Sequence, residues 1–81
     1  MSMTNLEKLN GVFCEVFLVD ATALGDGFDN QHVDGWDSVR QLSLASSLED
    51  AFDIMLDPVD ILELTSYENA RAMLGKYEIA L

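Results

Sequence analysis

The chain is poor in several things at once. Its 81 residues hold one cysteine, one proline, one histidine, one tryptophan and four basic residues. A lone cysteine, Cys14, excludes an internal disulfide and suits a reducing compartment. It sits in an apolar segment, where a small packed hydrophobe is the expectation. One histidine, His32, in an acidic loop with no partner evident from the sequence, argues against a catalytic triad. No apolar run reaches the length of a membrane span, and Glu15 interrupts the most apolar stretch. The first residues lack a basic region followed by an apolar one, so no secretory signal is expected and a cytoplasmic location is. Scarcity of Lys and Arg is the sharpest of these absences. Lys8, Arg40, Arg71 and Lys76 face fifteen carboxylates, for a formal net charge of −11. Such a surface repels nucleic-acid phosphates and anionic lipid, which excludes both as expected partners. It attracts proteins with basic patches, in a salt-sensitive way.

What is present is hydrophobic material, nearly half of the residues. That suffices for the core of one small domain over residues 1–81 and argues against disorder. Leu6, Leu9, Phe13, Val16 and Phe17 fall on one helical face, predicting a helix from Met3 to about Leu18. Thr4 and Glu7 have capping-box spacing at its start. Met1 is expected to fray. The stretch from Val19 to Trp36 keeps no period and has the glycines and aspartates of a loop. A loop this long in a small domain needs anchors, and Phe28, Val33 and Trp36 are the candidates.

A second helix is predicted from about Ser38 to Asp53, with Leu42, Ala45, Leu48 and Phe52 inward and Leu44 on the edge. Asp57 and Pro58 mark the start of a short helix of about two turns: a capping aspartate, then a proline in the first turn. Leu56, Ile61 and Leu64 continue the apolar pattern there. Thr65 and Glu68 have capping-box spacing before a last helix, whose stripe is Tyr67, Ala70, Leu74, Tyr77 and Leu81. Met3, Met55 and Met73 are expected to fill the core. The fold class that follows is all-α: four helices, three longer and one short, with a long loop after the first.

Ser38 stands where the second helix begins, with Trp36 two positions before it. Serine is a favoured helix cap, and Ser38 and Gln41 have capping-box spacing; Asp37 could cap as well. A helix start also favours a phosphate, so a serine there can anchor a phosphodiester. Without a base beside it, such a serine reacts only when another enzyme activates it. Trp36 has two compatible readings: a plug on the core, or a face beside the site. A calcium loop is excluded. Asn30, His32, Asp34, Gly35 and Gln41 fall at EF-hand places one, three, five, six and twelve, but Gln41 cannot supply the closing bidentate carboxylate. No metal site is expected.

The words "DSV" at residues 37–39, "LEDAFD" at 48–53 and "ELTSYENA" at 63–70 resemble the acyl carrier protein family over almost the whole chain. Leu48, Glu49, Phe52, Thr65 and Ser66 stand at matching places. The resemblance implies a four-helix bundle of acyl-carrier type. It implies that Ser38 receives a 4′-phosphopantetheine arm from coenzyme A, attached by a separate phosphopantetheinyl transferase, with Asp37 helping to present the serine. The chain itself would not be an enzyme. It would bear an acyl or aminoacyl group as a thioester and deliver it to partners, as a monomer. Those partners would be acyl- or aminoacyl-activating ligases and acyl-transfer enzymes with basic docking patches. Trp36, Val39, Arg40, Glu49 and Asp50 are the residues expected to meet them. "WDS" is similar to free-standing carriers of specialised pathways. Arg40 and the serines at 43, 46 and 47 make the second helix less acidic than in fatty-acid carriers, and Arg40 is expected to oppose a basic patch as a like charge. The alternative is an unmodified acidic interaction protein in which Ser38 is only a cap.

Overall fold

The computed structural model describes residues 3–81; Met1, expected to fray, lies outside them. Among the described residues there are four α-helices and no strand. The helices are α1 (Asn5–Phe17), α2 (Ser38–Phe52), α3 (Pro58–Leu62) and α4 (Tyr67–Lys76), with a single 3₁₀ turn at Ala21–Ala23 in the long loop. The all-helical expectation holds, with α1 three residues and α2 one residue shorter than predicted, α4 ending at Lys76 before the expected Tyr77 and Leu81, and α3 reduced to five residues.

α1 starts where the sequence says. The Thr4 hydroxyl accepts the Glu7 N–H at 3.1 Å, and the Glu7 carboxylate accepts the Thr4 N–H at 3.0 Å. These bonds, with the Thr4 backbone contact foremost, hold the Glu7 carboxyl below its ordinary value. The segment after α4 returns to this point, since Asn5 Nδ2 donates to the Ala80 carbonyl at 2.8 Å. The start of α4 is one residue later than the predicted Thr65–Glu68 pair. Ser66 caps it by accepting the Asn69 N–H at 2.9 Å, while Thr65 Oγ1 accepts from the Asn69 side chain at 3.0 Å. Asp57 precedes Pro58 as expected, yet its side chain makes no cap bond.

Glycine does not end these helices. Leu18, Asp53 and Glu78 take the left-handed conformation, with φ of 57°, 52° and 65°. In each case the next residue's N–H reaches back five residues: Val19 to Cys14, Ile54 to Glu49 and Ile79 to Leu74. Val19, Ile54 and Ile79 then pack against the core. This closing bond and apolar contact offset the conformational cost of a non-glycine residue there.

The core is built around aromatic rings. Phe13 is fully buried, with ring centroids of Tyr67, Phe17, Phe28 and Trp36 at 5.2, 5.9, 5.9 and 6.3 Å. Edge-to-face and offset pairs of this kind add to simple burial. Leu9, Leu44, Leu48, Leu64 and Leu74 complete the interior. Val12, outside the predicted stripe, is buried, and Leu6, inside it, is 38% exposed. The stripe therefore runs one step around the helix from its predicted centre, toward the loop aromatics. Met73 is buried, but Met3 and Met55 stand out at 54% and 84% exposure, correcting their expected core role. Leu81 is also exposed. Tyr67 directs its hydroxyl to Asn10 Oδ1, which resolves the one polar atom the ring carries inward; burial raises its pKa.

The long loop is stitched down rather than loose. Asn30 N–H donates to the Thr65 carbonyl and Tyr67 N–H to the Phe28 carbonyl, each at 2.9 Å, pairing the loop with the start of α4. Asp29 Oδ1 accepts the N–H groups of Gln31 and His32 and meets His32 Nδ1 at 2.7 Å. The histidine contact foremost lowers the Asp29 pKa.

Two substitutions test this account in urea titrations. Phe13→Ala should cost about 3–5 kcal/mol, enough to consume much of the stability of a small domain. Leu18→Gly should raise stability by about 0.5–1 kcal/mol, because it relieves the left-handed strain while the exposed leucine side chain is given up.

Candidate functional site

The start of α2 is set by three consecutive residues with separate jobs. Trp36 is the anchor: it is 8% exposed, with its rings 4.6 Å from Phe17 and 5.9 Å from Phe28. Its indole Nε1–H is buried without a partner among the described residues, a polar cost that the ring burial outweighs. The tryptophan is a plug on the core, and its expected role in meeting partners finds no exposed face. Asp37 is the cap. Its backbone is extended, its carboxylate accepts the Arg40 N–H at 2.8 Å, and its carbonyl accepts the Gln41 N–H at 2.9 Å. Ser38 is the first helical residue and is exposed. The expected Ser38–Gln41 capping box is therefore corrected. The charged aspartate one residue earlier takes the N–H groups that a serine cap would have used, and a carboxylate is favoured over a hydroxyl at a helix start.

Ser38 opens onto a cleft of about 380 Å³ lined by Ser38, Gln41, Leu42, Ile61 and Leu62. Leu42 was expected on the inner stripe and instead is 60% exposed; Leu44, expected on the edge, is fully buried. The inward face of α2 runs through residues 41, 44, 45, 48 and 52, and its first place is held by a glutamine that apolar counting passes over. Gln41 is half-buried, and its Nε2 donates to the Ile61 carbonyl at 2.8 Å and the Leu62 carbonyl at 3.4 Å. Leu62, in the cleft lining, is 74% exposed, and Val39 of α2 and Val59 of α3 are exposed at 72% and 61%.

The remaining predicted residues divide between the surface and the frame. Asp50 and Val39 are exposed. Arg40 is half-buried and donates from Nη1 to the Val16 carbonyl at 2.8 Å, one of the acceptors left open at the end of α1. That bond turns the guanidinium toward the end of α1, while the carbonyl, being neutral, leaves the side chain's positive charge in place. Glu49 is half-buried, and its Oε2 accepts the Leu56 N–H at 2.9 Å, bracing the connection into α3.

Asp60, which local spacing does not single out, is the most consequential residue missed. It is 3% exposed; Lys76 Nζ lies 2.8 Å from its Oδ1, and the Tyr77 hydroxyl donates to its Oδ2. The same hydroxyl accepts the Asp57 N–H at 3.1 Å. A second cleft, of about 590 Å³ and bordered by Asp60, Asn69 and Lys76, has these polar groups bonded to the protein already. No cluster of metal-ligating side chains occurs among the described residues. No described helix is long and apolar enough to cross a membrane. Comparison with protein-family models, curated proteins and solved structures returns no match.

Lys76, then Tyr77, holds the Asp60 carboxyl below its ordinary 3.8, and Asp60 in turn raises both Lys76 and Tyr77 above their ordinary 10.5 and 10.0. A depressed carboxyl stabilises the fold above its unfolded value and loses that contribution as pH falls through the folded one. Raised Lys and Tyr groups contribute fully below their unfolded values and lose it as pH climbs through the folded ones. Thermal melts followed by circular dichroism should thus show a plateau between mildly acidic and mildly alkaline pH, falling on both sides. Asp60→Asn should lower the plateau and flatten both limbs. An acid slope will survive from Glu7 and Asp29, which are also depressed.

Proposed function

We propose that the chain is a carrier protein of acyl-carrier type that bears an acyl or aminoacyl group as a thioester on a 4′-phosphopantetheine arm at Ser38. The observation that carries this reading is the division of labour at the start of α2. Asp37 does the capping, so the exposed Ser38 hydroxyl is spared that structural task. It stands at the N-terminus of a 15-residue helix and at the mouth of an apolar cleft. A helix start favours the phosphate that would join the arm to the serine. The cleft offers Leu42 and Ile61 to the apolar part of a cargo. The bundle supplies position and recognition, while the arm's thiol supplies the chemistry. A tether of this kind raises the effective concentration of the cargo at each enzyme it visits.

The transferase that loads the arm, and the ligases and acyl-transfer enzymes that use it, would approach the face containing Val39, Leu42 and Leu62. All carboxylates except Asp29, Glu49 and Asp60 are exposed, which suits partners with basic patches. With Trp36 buried, preference for a specialised pathway over fatty-acid enzymes would rest on the helix serines and on the Arg40 charge near Ser38. The chain would act without catalytic residues of its own, in the cytoplasm and as a monomer.

The test is coexpression with a phosphopantetheinyl transferase followed by intact-mass measurement. The wild type should gain the mass of one arm, and Ser38→Ala should gain none. Because Ser38 is not the cap, Ser38→Ala should cost less than about 0.5 kcal/mol, whereas Asp37→Ala should cost about 0.5–2 kcal/mol. An arm on Ser38→Ala, or none on the wild type, would refute the assignment.

A further inference from the structure

The cleft between α3 and α4, of about 590 Å³, has its polar groups sorted by kind. Each side-chain donor in its lining already has an acceptor within the protein. Lys76 Nζ lies 2.8 Å from Oδ1 of the buried Asp60, whose other oxygen accepts from the Tyr77 hydroxyl. Asn69 Nδ2 donates twice, to the Glu63 carbonyl at 3.1 Å and to Thr65 Oγ1 at 3.0 Å. The Thr65 hydroxyl meets the same Glu63 carbonyl at 3.5 Å.

Acceptors are what this pattern leaves over. Two N–H bonds fix which end of the Asn69 amide is which, and its Oδ1 has no partner among the described residues. The Glu63 carboxylate is exposed and enters no ion pair among the described residues. The bond from Asn69 Nδ2 to the Glu63 backbone keeps these two residues side by side. Apolar groups complete the lining: Leu62 and Ala72 are exposed, and Met73 belongs to the core.

A phosphate or carboxylate entering this cleft would find no uncommitted side-chain donor. A cationic donor on an apolar stem suits it. Between the two such side chains, arginine suits it better than lysine. Its planar fork reaches a carboxylate and a neighbouring amide oxygen together, and a guanidinium is less strongly hydrated than an ammonium. Its methylenes can lie along apolar surface while the charged head stays in contact with water.

We propose that the α3–α4 cleft is a docking site for an arginine side chain of a partner protein. The guanidinium meets the Glu63 carboxylate and Asn69 Oδ1, and the methylenes lie along Leu62 and Met73. Asp60 does not compete for it, because Lys76 and Tyr77 hold both of its oxygens. Leu62 alone also borders the cleft beside Ser38, so this is a separate contact surface. It stands whether or not Ser38 bears an arm.

NMR titration of the wild-type chain with a capped glycine–arginine–glycine tripeptide tests the site. The same peptide with citrulline, which has nearly the same shape and no charge, and one with lysine are the comparisons. The arginine peptide should shift the Leu62 and Met73 methyl signals and the Asn69 side-chain amide together, ahead of signals elsewhere. The lysine peptide should bind more weakly, and the citrulline peptide should leave these signals in place. Glu63→Gln should weaken arginine binding about two- to fivefold, the range of an exposed charge pair. Glu15→Gln, which removes an equal charge from α1, should weaken it less. Equal weakening by the two variants would reduce the contact to general attraction for an acidic protein and overturn the site. Shifts that miss the cleft, or a citrulline peptide that binds as well, would overturn it too. Lysine binding as tightly as arginine would overturn the choice of guanidinium. The peptide comparisons use the wild type, so they decide the site whatever the variants do to folding.

Discussion

Phe13 is where the pieces of this molecule meet. Its ring touches the aromatic side chains of its own helix, of the long loop at two points, and of α4. Without that ring the loop has no floor, and without the loop's floor Trp36 has no socket. The position of Trp36 in turn decides where the backbone enters α2, and so where Asp37 and Ser38 point. A side chain on α1, 25 residues before the serine in sequence, thus helps to fix the geometry of the candidate site through packing. Buried aromatic area is well suited to this, because rings lose few rotamers and interlock at defined angles.

Around that apolar centre, the joints between helices are largely polar. Arg40 ties α2 to the end of α1, Glu49 braces the passage into α3, Gln41 closes the end of α3, and Asp60 fastens it to the last helix. Two of these bonds, from Arg40 to the Val16 carbonyl and from the Leu56 N–H to Glu49, satisfy backbone groups that have no partner within their own helix or loop. An 81-residue chain has little core to spend on every junction. Side chains that reach across to open carbonyls and N–H groups join the elements with few additional buried residues.

The sequence shows some of this and hides the rest for physical reasons. Three of the four helix starts are legible from local chemistry, Thr4 with Glu7, Asp37, and Asp57 before Pro58, and the fourth lies one residue from the expected Thr65, at Ser66. The ends of α1 and α2 fall within a residue of the expected Leu18 and Asp53, although those residues adopt a conformation usually marked by glycine. The end of α4 before Glu78 was hidden by a stripe that runs on to Leu81. The inner face of α2 was displaced because Gln41 occupies a core-facing place and Leu42 a solvent-facing one. Apolar periodicity misreads a helix that exposes leucine beside a cleft and turns a glutamine inward. Asp60, Lys76 and Tyr77 come together only through the chain's path, with no local spacing to announce them. Ser38 was legible as a candidate, but only the structure separates its place from that of the cap.

The cations have one further consequence. Arg40 lies on a carbonyl and Lys76 on a buried carboxylate, while Lys8 sits 6.0 Å from the centre of the Phe52 ring and Arg71 the same distance from Tyr67. Each positive charge has a partner within the molecule, while all the carboxylates except Asp29, Glu49 and Asp60 are exposed. Heredity can therefore act on the two kinds of charge separately. A changed Arg40 or Lys76 removes a contact within the fold, whereas a changed aspartate on the surface alters how fast a partner arrives. Drift in the anions can retune encounters over generations without disturbing the frame that the cations secure.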